Sequence, residues 1–345
     1  MIDTRVWLLW AVTILALASS IRNPLYVIIL LLIVTVVGGA CNPDRERGAI
    51  FLPLRFAATT IPLAALFNGL TVHLGDATLF HLPDWLPLMG GAVTLEALIF
   101  GATNGLILTA IFGGFTVFNQ VTPARDLMKL TPRAFHEAGV VLSIALNFIP
   151  QTSRSLKHIR EAQEVRGHRV QGLRDWLPIV VPLLVSGLER SMKLAEAMVA
   201  RGYGGTSDEE LPLRNQALLA LGLAALLLGW LGHLFHIAWP AAAWGLVAVG
   251  AALIAGVVWS ASRSVSHTVY RERRWAVHDT LAALGCGLTL VVALTQQEAL
   301  YYSPYPHLTW PVFDPLVGLG ILGLLAPAIL TAQAGSRQKK VASNR

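Results

Sequence analysis

The sequence predicts an all-α, polytopic membrane protein with about eight transmembrane helices and cytoplasmic coupling helices between the fourth and fifth of them. Apolar residues make up 54% of the 345 residues and charged residues only 13%, whereas soluble domains carry roughly a quarter charged residues. The mean hydropathy is +0.59. Eight apolar stretches are mostly near the length of about 20 residues that a helix needs to cross a bilayer. Uninterrupted apolar runs favour helices over strands as the spanning elements.

These stretches divide the chain into four parts. The first four, near 5–20, 25–40, 49–71 and 90–118, form an N-terminal membrane block at residues 1–120. Residues 121–214 form the cytoplasmic region. The last four stretches, near 216–236, 239–261, 277–297 and 312–332, form a C-terminal membrane block at residues 215–335, followed by a basic cytoplasmic tail at 336–345. Ala16-Leu17-Ala18-Ser19 resembles a signal-peptidase site, but a weak positive start favours a retained first helix.

The positions of the basic residues predict the orientation. Arginine and lysine cluster near residues 45–55, 125–133 and 263–274, whereas the connections at 72–89 and 298–311 contain neither. By the positive-inside rule, the basic loops are cytoplasmic. The pI of about 9.6 therefore reflects membrane topology, and we expect no nucleic-acid partner. Arg22, in the short turn between the first two spans, is the exception to the rule.

Two amphipathic helices are expected in the cytoplasmic region. The first runs from Ala134 toward Arg166 and is bent near Pro150, because proline disrupts the helical hydrogen-bond ladder. The second begins near Trp176 and ends near Arg201. Its apolar residues recur at helical spacing, and they are Leu184, Leu188, Met192, Ala195 and Val199.

A repeat ends both helices. The segment Glu161–Gly167 returns 35 positions later as Glu196–Gly202, and both copies read E-A-x-x-x-R-G. One such motif has a purely structural explanation, because a cation suits the helix C-terminus and glycine suits the position after it. Two copies favour a partner instead. Ala162 and Ala197 each lie four residues before an arginine, on the same helical face, where a small side chain lets the guanidinium enter a groove.

Together with Thr122-Pro123-x-x-Asp126-Leu127 and Phe148-Ile149-Pro150, this repeat resembles the T component of energy-coupling factor transporters, the CbiQ/EcfT family. The resemblance covers roughly residues 20–235 and implies a multi-pass protein of a prokaryotic cell membrane. In that family, two Ala-Arg-Gly motifs end coupling helices that rest on two ABC-type ATPases. Arg166 and Arg201 would then be the coupling arginines, with Gly167, Ala200 and Gly202 completing the motifs. The first motif departs from the family pattern, since it reads Val165-Arg166-Gly167.

The resemblance also implies the function. The chain would be the scaffold of an ATP-driven importer of a vitamin or transition-metal ion, and it would pass the motion of the ATPases to a substrate-binding membrane protein, the S component. We expect no enzyme activity, no cofactor, and no catalytic or metal-binding residues. A P-loop needs a lysine directly after a glycine, and none of the five lysines of this chain follows one. ATP hydrolysis is therefore expected on the partner subunits.

Two alternatives remain open. The first is a membrane-embedded metalloenzyme, because imidazole and carboxylate groups are predicted on the external side; they are His73, Asp76, His81, Asp84, His233, His236, His307 and Asp314. The second is a secondary transporter, although no repeated membrane halves are visible.

Two further features concern the external side. Glu96 is a candidate intramembrane carboxylate, unless it lies in the first helical turn at headgroup level. The aromatic residues Trp239, Tyr301, Tyr302, Tyr305 and Trp310 are typical of an interfacial belt.

Overall fold

The computed structural model describes residues 2–41, 52–83, 91–128, 130, 136–168, 172–203, 212–235, 240–264, 275–305 and 307–331. Several residues and segments named above lie outside these ranges, among them Asp84, His236, Trp239, most of the basic loops and the predicted tail at 336–345.

Helices form nearly all of the regular structure in the described ranges. In chain order they are α1 (Thr4–Ser20), α2 (Pro24–Cys41), α3 (Leu52–Thr71), α4 (Leu95–Val121), α5 (Ala124–Met128), α6 (His136–Val165), α7 (Leu177–Ala200), α8 (Leu213–Leu234), α9 (Pro240–Ser264), α10 (Val277–Thr295), α11 (Gln297–Leu300) and α12 (Pro315–Ile321). Short 3₁₀ segments at Leu173–Trp176 and Leu322–Leu325 precede α7 and extend α12. The predicted all-α class is confirmed, with one small hairpin added.

Each of the eight predicted apolar stretches contains a helix. Five of these helices, α2, α4, α8, α9 and α10, are long and apolar enough to cross a membrane. The apolar helices Thr4–Ser20 and Pro315–Thr331 are shorter, and the sequence of α3 contains Arg55, Pro62 and Asn68, which lower its hydropathy. The protein is thus a multi-pass membrane protein, while the count of eight spans remains a prediction.

The predicted start of the fourth span near residue 90 is wrong. Strands β1 (Thr78–Leu82) and β2 (Gly91–Thr94) form an antiparallel hairpin in which His81 lies opposite Ala92. Helix α4 begins only at Leu95, because the Thr94 side chain accepts the Ala97 N–H as an N-cap. Short apolar runs do not distinguish a strand from a helix, so the predicted helix includes the residues Gly91–Thr94 of β2.

The chain divides into two compact units, residues 1–127 together with 270–345, and residues 128–269. In the first unit, the C-terminal helices lie beside the N-terminal ones. The Asp3 N–H donates to Asp279 Oδ1 at 2.8 Å, and the Arg22 N–H donates to the carbonyl of Leu300 at 2.9 Å. Because both ends of α1 meet the corresponding ends of the α10 region, the two helices run in the same direction.

Helix α2 and the segment Pro315–Thr331 are also parallel. The Asn23 side-chain amide donates to the Val312 carbonyl at 2.8 Å, and Cys41 Sγ lies 3.4 Å from Thr331 Oγ1 at the other end. Between these contacts, the buried indole N–H of Trp10 donates to the carbonyl of Leu324 at 3.1 Å. An N-terminal hairpin and a C-terminal hairpin of the same orientation therefore share one core.

Helices α3 and α4 pack closely through glycine. A methyl group added at Gly105 would lie 2.9 Å from the Ile61 Cα atom, so the backbones approach as small residues allow in membrane helices. The rings of Phe56 and Phe112 stack beside this contact, with centroids 4.2 Å apart. The buried hydroxyl of Thr109 donates to the carbonyl of Gly105 at 2.8 Å, so it needs no partner outside its own helix.

The second unit contains α6 to α9. Helices α8 and α9 pack through Gly222 and Gly250, where a methyl group on Gly250 would lie 2.7 Å from the carbonyl oxygen of Gly222. Their outer sides carry exposed apolar side chains such as Leu221 and Leu228. Such surfaces suit lipid rather than water.

Replacing Gly105 by alanine tests the glycine contact. We expect the free energy of unfolding to fall by about 1–3 kcal/mol, because α3 must move to admit the methyl group. The measurement is the thermal unfolding midpoint in detergent. Gly287→Ala is the matched control, since no atom lies within 4 Å of its added methyl group and alanine favours helix. Equal losses in the two variants would contradict the packing argument.

Candidate functional site

The two helices that carry the repeated motif lie against each other. Gln163 Nε2, near the end of α6, donates to the carbonyl of Pro178 at the start of α7, at 3.4 Å. Arg190 Nη2, in the middle of α7, donates to Ser155 Oγ at 3.1 Å. Because residue numbers fall along one helix as they rise along the other, α6 and α7 are antiparallel.

The turn between these helices is fixed by polar contacts. The His168 Nε2 atom lies 2.8 Å from the carbonyl oxygen of Asp175, and the carboxylate of Asp175 accepts the N–H of Gly172 at 2.9 Å. Pro178 follows in the first turn of α7, where its fixed φ suits the helix and its missing N–H costs nothing.

Both copies of the motif end their helix in the same way. After α6, the His168 N–H donates to the Gln163 carbonyl at 2.9 Å, and the Gly167 N–H donates to the Glu164 carbonyl at 3.0 Å. After α7, Tyr203 and Gly202 bond to Met198 and Val199 at 2.9 Å each. These paired bonds are the Schellman motif. Gly167 and Gly202 have φ values of +82° and +83°, a conformation that glycine adopts without steric cost.

The two copies are arranged symmetrically about the contact between Ser155 and Arg190. These two residues are 35 positions apart, which is also the spacing of the repeat, so they occupy equivalent places in the two copies. Arg166 and Arg201 each lie eleven residues further on, in opposite directions. At 1.5 Å per residue, the arginines are separated by about 30 Å. The two copies of the sequence repeat therefore lie at opposite ends of one antiparallel helix pair.

Both arginine side chains are exposed, and neither has a hydrogen bond or ion pair with another described residue. The nearby carboxylates of the first copy are already engaged, because Glu164 pairs with Arg160 at 3.0 Å and Glu161 lies 3.9 Å from Lys157. The Arg166 guanidinium therefore remains available to a carboxylate or carbonyl of a partner.

Small and apolar surfaces flank the arginines. Ala162, Ala197 and Ala200 are exposed, so the helix surface beside each arginine carries small side chains that nothing covers. The predicted apolar face of α7 is also exposed; Leu184 and Leu188 are 66% and 65% accessible, and Val199 is 70% accessible. An apolar helical stripe this exposed suits contact with lipid or another protein.

Sequence reasoning missed the residues that hold this arrangement. Ser155 and Arg190 differ in type, so the repeat gave no signal at that position, although the 35-residue spacing would have paired them. Asp175 and His168 could not be identified from the sequence, because a contact between a side chain and a backbone carbonyl requires no particular residue type at the carbonyl.

The other candidates do not assemble into one site. The described residues contain no group of three or more His, Cys, Asp and Glu side chains that could hold a metal ion. His307 pairs with Asp76, Asp314 caps α12 by accepting the Leu316 N–H, and the His233 ring lies against Trp244. His236 and Asp84 lie outside the described residues. The metalloenzyme alternative therefore gains no support.

Glu96 lies in the first turn of α4, as one of the two alternatives given for it above predicted. Its side chain is nevertheless buried, with 1% of its surface accessible. Its Oε1 accepts the Ala77 N–H at 3.1 Å, which ties the loop before β1 to the helix. Burial raises the pKa of Tyr305, and the nearby negative charge of Glu96 raises it further. Glu96 thus holds the loop before β1 against the start of α4, at the end of the first unit that is predicted to be external.

Comparison with known proteins finds a matching family and several similar chains. Residues 1–213 match the family CbiQ, described as a cobalt transport protein. The energy-coupling factor transporter transmembrane protein EcfT of Clostridium kluyveri is 37% identical over 114 residues, which are 30% of this chain and 42% of the relative. The protein of the same name from Exiguobacterium sibiricum is 38% identical over 96 residues, or 25% and 36% of the two chains. Each alignment thus spans less than half of the relative.

The helix-ending glycines can be tested directly. In Gly167→Ala, a β-carbon at φ +82° costs about 1–2 kcal/mol, so the last turn of α6 should fray and the amide of His168 should exchange faster. Hydrogen–deuterium exchange of peptides covering residues 160–170 measures this. Gly167→Asn should retain more protection, since asparagine tolerates this conformation. Gly187→Ala, within α7 and with no atom within 4 Å of the added methyl group, is the control. Unchanged exchange in Gly167→Ala would refute the cap.

Proposed function

The chain belongs to the CbiQ family, the transmembrane T components of energy-coupling factor transporters, and we propose that it is the energy-coupling scaffold of an ATP-driven importer. In this proposal, α6 and α7 lie on the cytoplasmic side of a prokaryotic cell membrane and dock onto two ABC-type ATPases. The chain passes their movement to a substrate-binding S component. The cargo is a micronutrient, either a vitamin or a transition-metal ion, and the S component selects it.

The observation that carries this proposal is the pair of identical helix ends. Arg166 and Arg201 sit on the same cap geometry, are exposed, and have no described partner. At a separation of about 30 Å, they cannot enter one groove. Two equal arginines at two equal ends fit two homologous subunits, each offering the same kind of groove.

The chemistry of the motif suits mechanical contact. The arginine fork is planar and always charged, so it forms two parallel hydrogen bonds with a carboxylate or with neighbouring carbonyls. The Schellman cap fixes the direction in which the chain leaves the helix. A tilt of an ATPase groove is therefore transferred to a rigid helix rather than absorbed by a loose loop.

The exposed apolar stripe of α7 supports the proposed contact with the S component. Leu184, Leu188 and Met192 present apolar surface on one side of a helix whose other side carries Glu189 and Lys193. An apolar partner would remove this surface from water at a gain of about 25 cal/mol per Å². A membrane-embedded subunit such as the S component provides that kind of surface.

Removing the arginines tests the ATPase contact. Arg166→Ala and Arg201→Ala should each weaken co-purification of the ATPases by about tenfold, the size of an interface hot spot, and the double variant should abolish it. Expression and thermal stability should not change, because neither side chain has a described partner. Arg154→Ala is the matched control, since it removes an exposed arginine from the middle of α6. Full retention of the ATPases by the double variant would overturn the proposal.

The apolar stripe has its own test. Leu184→Gln with Leu188→Gln should release the S component while the ATPases stay bound, because the two contacts use different faces and ends of the helix pair. The readout is co-purification of both partner types from one preparation. Glu189→Gln with Lys193→Gln on the opposite side is the control. Loss of the ATPases together with the S component would show that the stripe acts by holding α7 itself.

A further inference from the structure

A cavity lies at the predicted external end of the first unit, where the turn between α1 and α2 meets the loop after α10. Its volume is about 410 Å³, and its lining includes Asn23, Glu298, Tyr301, Tyr302 and Trp310. Small-molecule sites have volumes of roughly 300–1,000 Å³. The cavity is therefore large enough for a polar headgroup.

The walls of this cavity are held in place. Asn23 is 1% exposed, and its amide donates to the carbonyl of Val312 at 2.8 Å. The hydroxyl of Tyr302 donates to the carbonyl of Thr309 at 2.7 Å, and burial raises the pKa of this phenol. Two of the lining side chains are therefore held by hydrogen bonds within the first unit.

One charged residue lines the cavity, and a residue of opposite charge directly precedes the lining residue Asn23 in the chain. The Glu298 carboxylate lines the cavity and is exposed. The exposed Arg22 is adjacent, because its N–H bonds to the carbonyl of Leu300 at 2.9 Å and its chain neighbour Asn23 lines the cavity. Neither side chain has an ion pair with another described residue. Arg22 is also the one basic residue in a connection that is predicted to be external, contrary to the positive-inside rule. A local interaction must therefore account for its position.

We propose that this cavity binds the headgroup of a zwitterionic phospholipid that carries an amine. The ammonium group lies against the Glu298 carboxylate and the ring faces of Tyr301 and Trp310, which attract cations. The phosphate group accepts hydrogen bonds from the Arg22 guanidinium, which suits phosphate geometry. One ligand with both charges satisfies both side chains, whereas an anionic lipid satisfies only Arg22.

The surroundings favour a lipid over a soluble molecule with the same headgroup. Trp310 is 94% exposed, Val312 79% and Tyr301 68%, so the rim presents apolar surface that acyl chains would cover. Aromatic side chains at this level are typical of the membrane interface. The binding site shares no residue with the ATPase contact proposed above.

Native mass spectrometry of the purified full-length chain in detergent tests this proposal. The protein is titrated with phosphatidylethanolamine and with phosphatidylglycerol that carry the same acyl chains. One molecule of phosphatidylethanolamine should bind per protein chain, and its apparent Kd should be lower than that of phosphatidylglycerol. Glu298→Gln and Arg22→Gln should each raise its apparent Kd by about fivefold, as loss of a partly exposed charged contact predicts. Trp275→Ala, which removes an exposed tryptophan from another loop, should bind like the original protein.

Three results would overturn the proposal. One is equal affinity for the two lipids in all variants, and another is unchanged phosphatidylethanolamine binding in both charge variants. The third comes from a competition with free O-phosphoethanolamine. If the free compound binds as tightly as the lipid, the acyl chains contribute nothing and the ligand is a soluble zwitterion. Each variant must first show the circular dichroism and the unfolding midpoint of the original protein.

Discussion

The rest of this structure depends on one constraint, which is that a polar group without water must find its partner inside the protein. In the described membrane helices, three kinds of hydrogen bond meet it, while Asn68 Oδ1 and Glu96 Oε2 are buried without a partner. Backbone groups bond along each helix, threonine hydroxyls such as that of Thr109 bond back to their own helix, and the Trp10 indole bonds to the carbonyl of Leu324. That last bond falls where the C-terminal segment passes through a 3₁₀ turn, so a helix irregularity in one hairpin is matched by a donor in the other.

The C-terminal helices, which lie beyond the family match, pack on helices that lie within it. The family match ends at residue 213, yet residues from α10 and α12 share the core of α1 and α2. The contacts of Asp279, Leu300 and Val312 with the first helices are hydrogen bonds at both ends of the hairpins. The segment beyond the family match is thus an integral part of the first unit. It also creates the cavity beside Arg22, since most of the residues that line it come from positions 298–312.

In the second unit, the repeated motif, rather than a buried core, sets the arrangement of α6 and α7. Two copies of a short motif, placed head to tail in the sequence, become opposite ends of an antiparallel pair because Ser155 and Arg190 meet at equivalent positions. The described side chains around this pair are mostly exposed, and the ion pairs of α6 are surface pairs that contribute roughly 0–1 kcal/mol each. Such a helix pair presents its ends and its apolar stripe, as the proposed coupling role requires.

Composition and periodicity by themselves determined the membrane class, a helix in each of the eight apolar stretches, and the glycine caps after Arg166 and Arg201. These features are local, because hydropathy is summed over neighbours and a positive φ after a helix selects glycine. The hairpin at Thr78–Thr94 was missed, since a short apolar run fits strand and helix equally. Only the tertiary structure decided that α6 and α7 are antiparallel about Ser155 and Arg190, that Glu96 is buried, and that the last helices pack on the first. These depend on contacts between residues far apart in the chain, which no local pattern records.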